Sequence, residues 1–177
     1  MGDQKVYLVT QRNPQQEVPT AADLYQMGTV SQIKQIVKMP NGILRVMVEG
    51  LERAALLTLF EDGQYLEAEI EDAPMQEEQL SDTVKEAMSR IVKEKLEEFG
   101  NANPKAVKDF IGSLLVITDL EPLLTQTANE FPWDFAVKQE LLECAYVSHL
   151  YDRIVYYLMR EIEILMIKRD YQGKVKE

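Results

Sequence analysis

The chain holds a single histidine, His149, and a single cysteine, Cys144, and these two counts restrict its nucleophilic chemistry. A Ser-His-Asp triad would have to be built on His149, which falls near the start of a helical stretch, where an exposed or capping imidazole is the ordinary role. Cys144 would need a base beside it to act as a thiolate, and a semi-buried structural thiol is the simpler reading. One cysteine also rules out a disulfide framework and a cysteine metal cluster. There is no Gly-x-Ser-x-Gly elbow. A phosphate-cradling Gly-x-x-x-x-Gly-Lys-Ser/Thr loop is missing too, since Gly173-Lys174-Val175 lacks both the preceding glycine and the hydroxyl. Glu67, Glu69 and Glu71 alternate onto one strand face, from which a metal site or a glycosidase carboxylate pair could be drawn. Hard cations take carboxylates that converge, usually from a loop, and no EF-hand spacing occurs. A solvated acidic strand face is preferred, so we expect no catalytic residue, no metal and no cofactor.

What remains is apolar chemistry. Met88 and Met166 fall on helical stripes and read as core. Met39 differs, because it flanks a turn together with Pro40 and Ile43, where an apolar tip has few places to bury itself. Methionine-rich flexible surfaces suit varied partners, whereas the plainer reading packs this tip on the helical half. Tyr25 and Met27 lead into the same sheet. Met39, Pro40, Ile43, Tyr25 and Met27 are therefore the candidate partner-binding residues.

The elements that must position them are legible. Val6-Tyr7-Leu8-Val9-Thr10 is a short strand, and the polar stretch 11–22, with Pro14 and Pro19, is a loop. Pro40-Asn41-Gly42 between apolar runs is a hairpin signal. Leu44, Val46 and Val48 alternate with Arg45, Met47 and Glu49, the period of a half-buried strand. Val30, Ile33, Ile36 and Val37 fit a helical period almost as well, and their β-branched content tips them to strand. Gly50 is expected to break the second strand, with a third beginning at Arg53. Glu61-Asp62-Gly63 is a turn, and Leu66, Ala68 and Ile70 alternate with the glutamates of a fourth run.

The period then changes. Val84, Met88, Ile91, Val92, Leu96 and Phe99 form one stripe on a helix that starts near Ser81 or Asp82 and stops at Gly100. Asn103-Pro104 opens the next helix, carrying Val107, Phe110, Ile111, Leu114 and Leu115. A helix over 120–129 is broken by Phe131-Pro132-Trp133, and Asp134 caps a further segment. The last helix runs from about Ser148 toward Tyr171, with Leu150, Ile154, Tyr157, Leu158, Ile162, Leu165 and Met166 along one side. The class is α+β: a β-rich lobe over 1–76, then a helical subdomain over 77–177 with a long final helix.

Charge narrows the partners. The chain of 177 residues is 46% hydrophobic with a net charge of −11, enough to bury a core. Residues 61–99 hold 13 Asp and Glu against 4 Lys and Arg, a surface that repels phosphate backbones. No run is long enough to cross a membrane, and the start lacks a basic n-region with a cleavage site. A cytoplasmic setting, with neither nucleic acid nor membrane as partner, is expected.

Leu24-Tyr25-Gln26-Met27-Gly28-Thr29-Val30, then Pro40-Asn41-Gly42, then Val48-Glu49-Gly50-Leu51-Glu52-Arg53-Ala54 resembles the N-terminal domain of the ATP-dependent Lon proteases, which write a Leu-Tyr-x-x-Gly-Thr-Val entry, a Pro-Asp/Asn-Gly hairpin and a Val-Glu-Gly-x-x-Arg-Ala return. Arg160-Glu161-Ile162-Glu163-Ile164-Leu165 matches a further piece near the far end. The resemblance implies a PUA-like lobe, an antiparallel partial barrel, followed by a helical subdomain. It implies a non-catalytic substrate-recognition and assembly domain of an AAA+ serine protease in protein quality control. Such a domain binds exposed apolar segments of misfolded or tagged proteins, and its ATPase and Ser-Lys protease parts lie in regions this chain does not contain. The alternative is a stand-alone PUA-like module for nucleic acid or a regulatory protein.

Three departures stand out. The family's opening strand, Phe-Pro-Gly turn and first helix precede the match to Val6-Tyr7-Leu8-Val9 and are absent here. An excised fragment is therefore expected, with Met1-Gly2 as an added start and self-association by strand exchange or edge pairing. The family's Asp-Pro-Gly reads Asp119-Leu120-Glu121. Its Asp-Val-x-x-Arg reads Tyr146-Val147-Ser148-His149-Leu150, which leaves the local capping and any ion pair there open.

Overall fold

The computed structural model describes residues 4–174; Met1-Gly2 and residues 175–177, on which the sequence carried expectations, lie outside them. The chain divides into two compact units, Met1–Pro74 and Met75–Glu177.

In the first unit four strands, β1 (Lys5–Leu8), β2 (Met27–Lys38), β3 (Leu44–Phe60) and β4 (Glu67–Asp72), form an antiparallel sheet in the order β1-β2-β3-β4. The β-branched run 30–37 is strand, its backbone paired along a cross-strand ladder with β3. The hairpin turns through Pro40 and Asn41 and closes with Gly42 N–H to the Met39 carbonyl at 3.1 Å and Met39 N–H to the Ile43 carbonyl at 2.8 Å. Gly42 has φ of +80°, the left-handed conformation that follows such a turn and favours glycine.

Gly50 does not break the strand. Val30 faces Glu52 and Ser31 faces Gly50, so Leu51 is the extra residue of a β-bulge and β3 runs through to Phe60. The expected third strand is the continuation of the second. Arg53, two residues beyond the bulge, turns its Nε to the Ala73 carbonyl at 2.7 Å and so ties down the chain leaving β4. The buried apolar side chains of this unit are few: Leu24, Ala54 and Leu56.

The second unit is all helix: α1 (Asp82–Ala102), α2 (Pro104–Ala106), a π-helical turn (Val107–Ile111), α3 (Gly112–Leu115), α4 (Leu120–Glu130), α5 (Phe135–Glu143) and α6 (Val147–Lys174). Ser81 caps α1 through Val84 N–H, and Asp134 caps α5 through Val137 N–H at 3.1 Å. Gly100 is not a stop. It lies buried inside α1, and a Cβ there would stand 2.8 Å from Val107 Cγ2, so the glycine is what lets the next helix fold back against α1. The expected stripe of α1 narrows to Val92, Leu96 and Phe99, with Val84 and Ile91 exposed.

Phe131 anchors the core. It is fully buried, edge-on to Phe99 and Phe110 and stacked on Trp133 with ring centroids 4.5 Å apart. The residues that break α4 thus carry the packing between helices. On α6 the side Leu150, Ile154, Tyr157, Leu158 and Ile162 is buried, while Met166 is exposed. The core expectation fails for Met166 because it falls in the last turns of α6, where 168–174 are exposed throughout.

Candidate partner-binding surface

The residues with catalytic potential are not assembled. His149 is exposed and lies edge-on to Tyr146 at 5.3 Å. Cys144 is half-buried, with Sγ 3.5 Å from the Glu140 carbonyl, the structural role expected of it. Among the described residues no group of three His, Cys, Asp or Glu is placed to hold a metal ion. Among the described residues no helix is long and apolar enough to cross a membrane.

The sheet presents a different kind of surface. From Lys34 to Val48 every residue but half-buried Met39 is exposed, because β1 reaches only to Gln32 of β2 and β4 only to Ala54 of β3. Beyond those limits β2 and β3 form a two-stranded arm with nothing beside it in the sheet. Its cross-strand pairs Ile33–Val48, Ile36–Val46 and Lys38–Leu44 share one face. That face is apolar except for Lys38, and Ile36, Leu44 and Val46 are each 45–58% exposed. Gln35–Met47 and Val37–Arg45 lie on the other face, with Met47 60% exposed. Contiguous exposed apolar surface is a general mark of interaction sites.

The five candidate residues are not one patch. Met39, Pro40 and Ile43 sit at the arm's tip, Ile43 being 59% exposed. Tyr25 and Met27 sit at the opposite end of β2, roughly 35–40 Å away at about 3.3 Å per strand residue. There Tyr25 lies under the Arg12 guanidinium, 4.7 Å from ring centroid to Cζ, and Tyr25 and Met27 are half-buried. The sequence reading missed Ile36, Leu44, Val46 and Met47. Their signal was present in the alternation of residues 44–48, but alternation alone does not say that both faces are open.

The acidic strand does not flank the tip. Glu67, Glu69 and Glu71 pair with β3 at Phe60, Thr58 and Ala55, roughly 30 Å or more along the strand from Leu44. No Asp or Glu occurs between Asp23 and Glu49, whereas Lys34, Lys38 and Arg45 do. Lys34 is paired with Glu49 at 2.5 Å; Lys38 and Arg45 have no ion-pair partner among the described residues. The arm of this acidic chain is locally basic.

In the helical unit, a groove of about 1160 Å³ opens between residues 75–80, the first half of α1 and the start of α4. Glu78 in its wall is committed to structure. Its carboxylate accepts from Ser148 N–H at 3.0 Å and from the Ser148 hydroxyl, capping α6 from a distance. These hydrogen bonds, the hydroxyl first, hold its pKa below the usual glutamate value. The cap missing from Tyr146-Val147-Ser148 is thus supplied by another segment.

Comparison with known proteins shows the family. The family model for the substrate-binding domain of the ATP-dependent protease La (Lon) matches residues 1–160. The Lon protease of Lachnoclostridium phytofermentans is 36% identical over 175 residues, 99% of this chain and 22% of that protein. The Lon protease of Azospirillum brasilense is 32% identical over 98% of this chain and 21% of that protein. The Escherichia coli K12 Lon protease is 29% identical over 99% and 22% respectively. The chain thus spans about a fifth of the length of these curated relatives. Two solved structures share the fold. The N-terminal domain of Mycobacterium avium complex Lon protease has a TM-score of 0.60 at 20% identity, covering 80% of this chain and 74% of that one. The Lon N-terminal domain protein from Xanthomonas campestris has a TM-score of 0.52 at 10% identity, covering 88% and 90%. The chain belongs to the Lon substrate-binding domain family.

Proposed function

We propose, with that membership as premise, that this chain is the non-catalytic substrate-recognition and assembly part of a cytoplasmic, oligomeric AAA+ protease. In this role its arm engages exposed apolar segments of misfolded or tagged proteins. The observation that carries the reading is the open apolar face of Ile36, Leu44 and Val46, ending in Met39, Pro40 and Ile43 at the tip. A recruitment surface must accept many sequences, and apolar contact with backbone pairing does so without a side-chain code. Affinity should be micromolar or weaker, on the order of 8 kcal/mol or less, since disordered ligands lose entropy on binding. Tyr25 and Met27, at the far end of β2, are proposed as a separate and weaker contact. The unpaired strand edges of the arm also favour self-association by edge pairing or strand exchange.

The test is Met39→Ser with Ile43→Ser in the Lon protease that carries this domain. Degradation of an unfolded protein should slow several-fold while cleavage of a short peptide stays unchanged. Equal rates for both substrates in variant and wild type would remove the tip from the site. Binding of RNA at physiological salt by the isolated chain would favour a nucleic-acid module instead.

A further inference from the structure

We propose that the arm selects extended apolar segments bearing Asp or Glu, and that it takes them as an added strand on the free edge of β3. This deepens the recruitment reading and rests on it.

Two independent observations carry it. The first is the edge. β4 pairs with β3 only over Ala54–Phe60, and the Arg53 carbonyl accepts from Ala73 N–H. From Leu44 to Glu52 the outer edge of β3 has no strand beside it among the described residues. That is nine residues, roughly 30 Å of strand, with a row of backbone donors and acceptors able to pair an incoming chain. The outer edge of β2 is the poorer template, because it is occupied as far as Ile33, whose N–H meets the Gln4 carbonyl at 2.8 Å.

The second is charge. A strand laid along β3 alternates its side chains between the two faces of the arm. On one face it meets Leu44, Val46 and Val48; on the other it meets Arg45 and Met47. Arg45, on the edge strand itself, is exposed, and among the described residues neither it nor Lys38 at the tip has an ion-pair partner. Of the two carboxylates along this edge, Glu49 is engaged by Lys34, and Glu52 lies at the far end, beyond the Leu51 bulge. A segment with its apolar side chains over Leu44, Val46 and Val48 therefore turns its alternate side chains to the Arg45 face, where acidic ones find a cation and basic ones meet repulsion, while Lys38 lies at the tip end of the apolar face. Nucleic acid fits less well, since two free cations do not make a phosphate track in a chain of net charge −11.

The experiment uses the chain itself and labelled ten-residue peptides that share one set of alternating Val, Ile and Phe positions. The intervening positions are all Glu in one peptide and all Lys in the other, and a third is the Glu peptide N-methylated at every backbone amide, so that neither edge can donate. Fluorescence anisotropy should show the Glu peptide bound about tenfold tighter than the Lys peptide in low salt, with the gap narrowing as salt rises. Lys38→Glu with Arg45→Glu should reverse that order while leaving the circular dichroism spectrum unchanged. N-methylation should abolish binding. Equal affinity for the Glu and Lys peptides would overturn this inference and leave apolar recruitment standing, and tighter binding of the Lys peptide would overturn it as well. Undiminished binding of the N-methylated peptide would overturn strand addition. Binding of neither unmodified peptide would overturn both the inference and the assignment of the arm. Displacement of the Glu peptide by equimolar single-stranded RNA would assign the arm's charge to nucleic acid.

Discussion

Tyr7 packs directly over Gly28. A Cβ on Gly28 would stand 2.6 Å from the Tyr7 hydroxyl oxygen and 2.5 Å from the Leu8 carbonyl oxygen, and the hydroxyl goes on to donate to the Ala54 carbonyl at 3.0 Å. One glycine thus lets a side chain of β1 reach across β2 to the backbone of β3. In a unit with three buried apolar side chains, this is a substantial part of what fixes the sheet.

Gly28→Ala should therefore destabilise the sheet unit by overpacking against groups that include backbone, by about 1–3 kcal/mol. Urea unfolding followed by far-UV circular dichroism measures this. Tyr7→Phe should cost less, about 1 kcal/mol, since it removes one hydrogen bond and keeps the ring. A Gly28→Ala protein with an unchanged midpoint would show that the contact relaxes freely.

Gly100 and Val107 offer a cleaner test. Alanine at position 100 gains about 1 kcal/mol of helix propensity and at the same time meets Val107 Cγ2 at 2.8 Å, on a β-branched side chain with little freedom to turn away. We expect the clash to win, so that Gly100→Ala lowers stability. Adding Val107→Ala should then restore part of the loss, a coupling of about 1 kcal/mol in a double-mutant cycle. Additive effects would mean that the two residues do not touch.

Glu78 gives the acid behaviour of the helical unit a specific contribution. Its carboxylate is held below the usual glutamate value by the two Ser148 hydrogen bonds, with a smaller contribution from His149. A depressed folded-state pKa stabilises fully above the ordinary value of about 4.3, and that stability is lost as pH falls through the lower folded-state value. The difference in unfolding midpoint between wild type and Glu78→Gln should accordingly be constant near neutrality and shrink below about pH 4.5. A difference that does not change with pH would mean that charge plays no part in the cap.

Much of this fold was legible because its signals are local. Asn41-Gly42, Ser81, Asp134 and the periodicity of residues 92–99 each act within a few positions, and each appears where expected. The misses share a cause: two glycines were read as local breaks when distant contacts decide their role. Gly50 sits beside the Leu51 bulge because β2 fixes the register, and Gly100 stays helical because Val107 needs its space. The arm was half legible. Its tip residues stood out, but the extent of the open face depends on where β1 and β4 stop, which no residue of the arm records. Arg53 was read as a strand start and as part of a family motif, and the structure supplies a reason for it in the carbonyl of Ala73.

Trp133 carries the last prediction. It is buried and stacked on Phe131, yet its Nε1 has no hydrogen-bond partner among the described residues. An unpaired buried N–H costs about 1–3 kcal/mol, and that cost offsets part of what the ring contributes by packing. Trp133→Phe removes the orphaned donor and keeps an aromatic ring against Phe131, at the expense of a cavity where the second ring lay. The two effects oppose each other and are of similar size, so the change in stability should be small, within about 1.5 kcal/mol. Trp133→Ala removes the ring altogether and should cost about 3–5 kcal/mol. Chemical denaturation followed by circular dichroism serves for all three proteins, since tryptophan fluorescence is lost in both variants. A Trp133→Phe penalty as large as that of Trp133→Ala would mean that the donor is satisfied in solution, through a water that bridges it to a nearby acceptor.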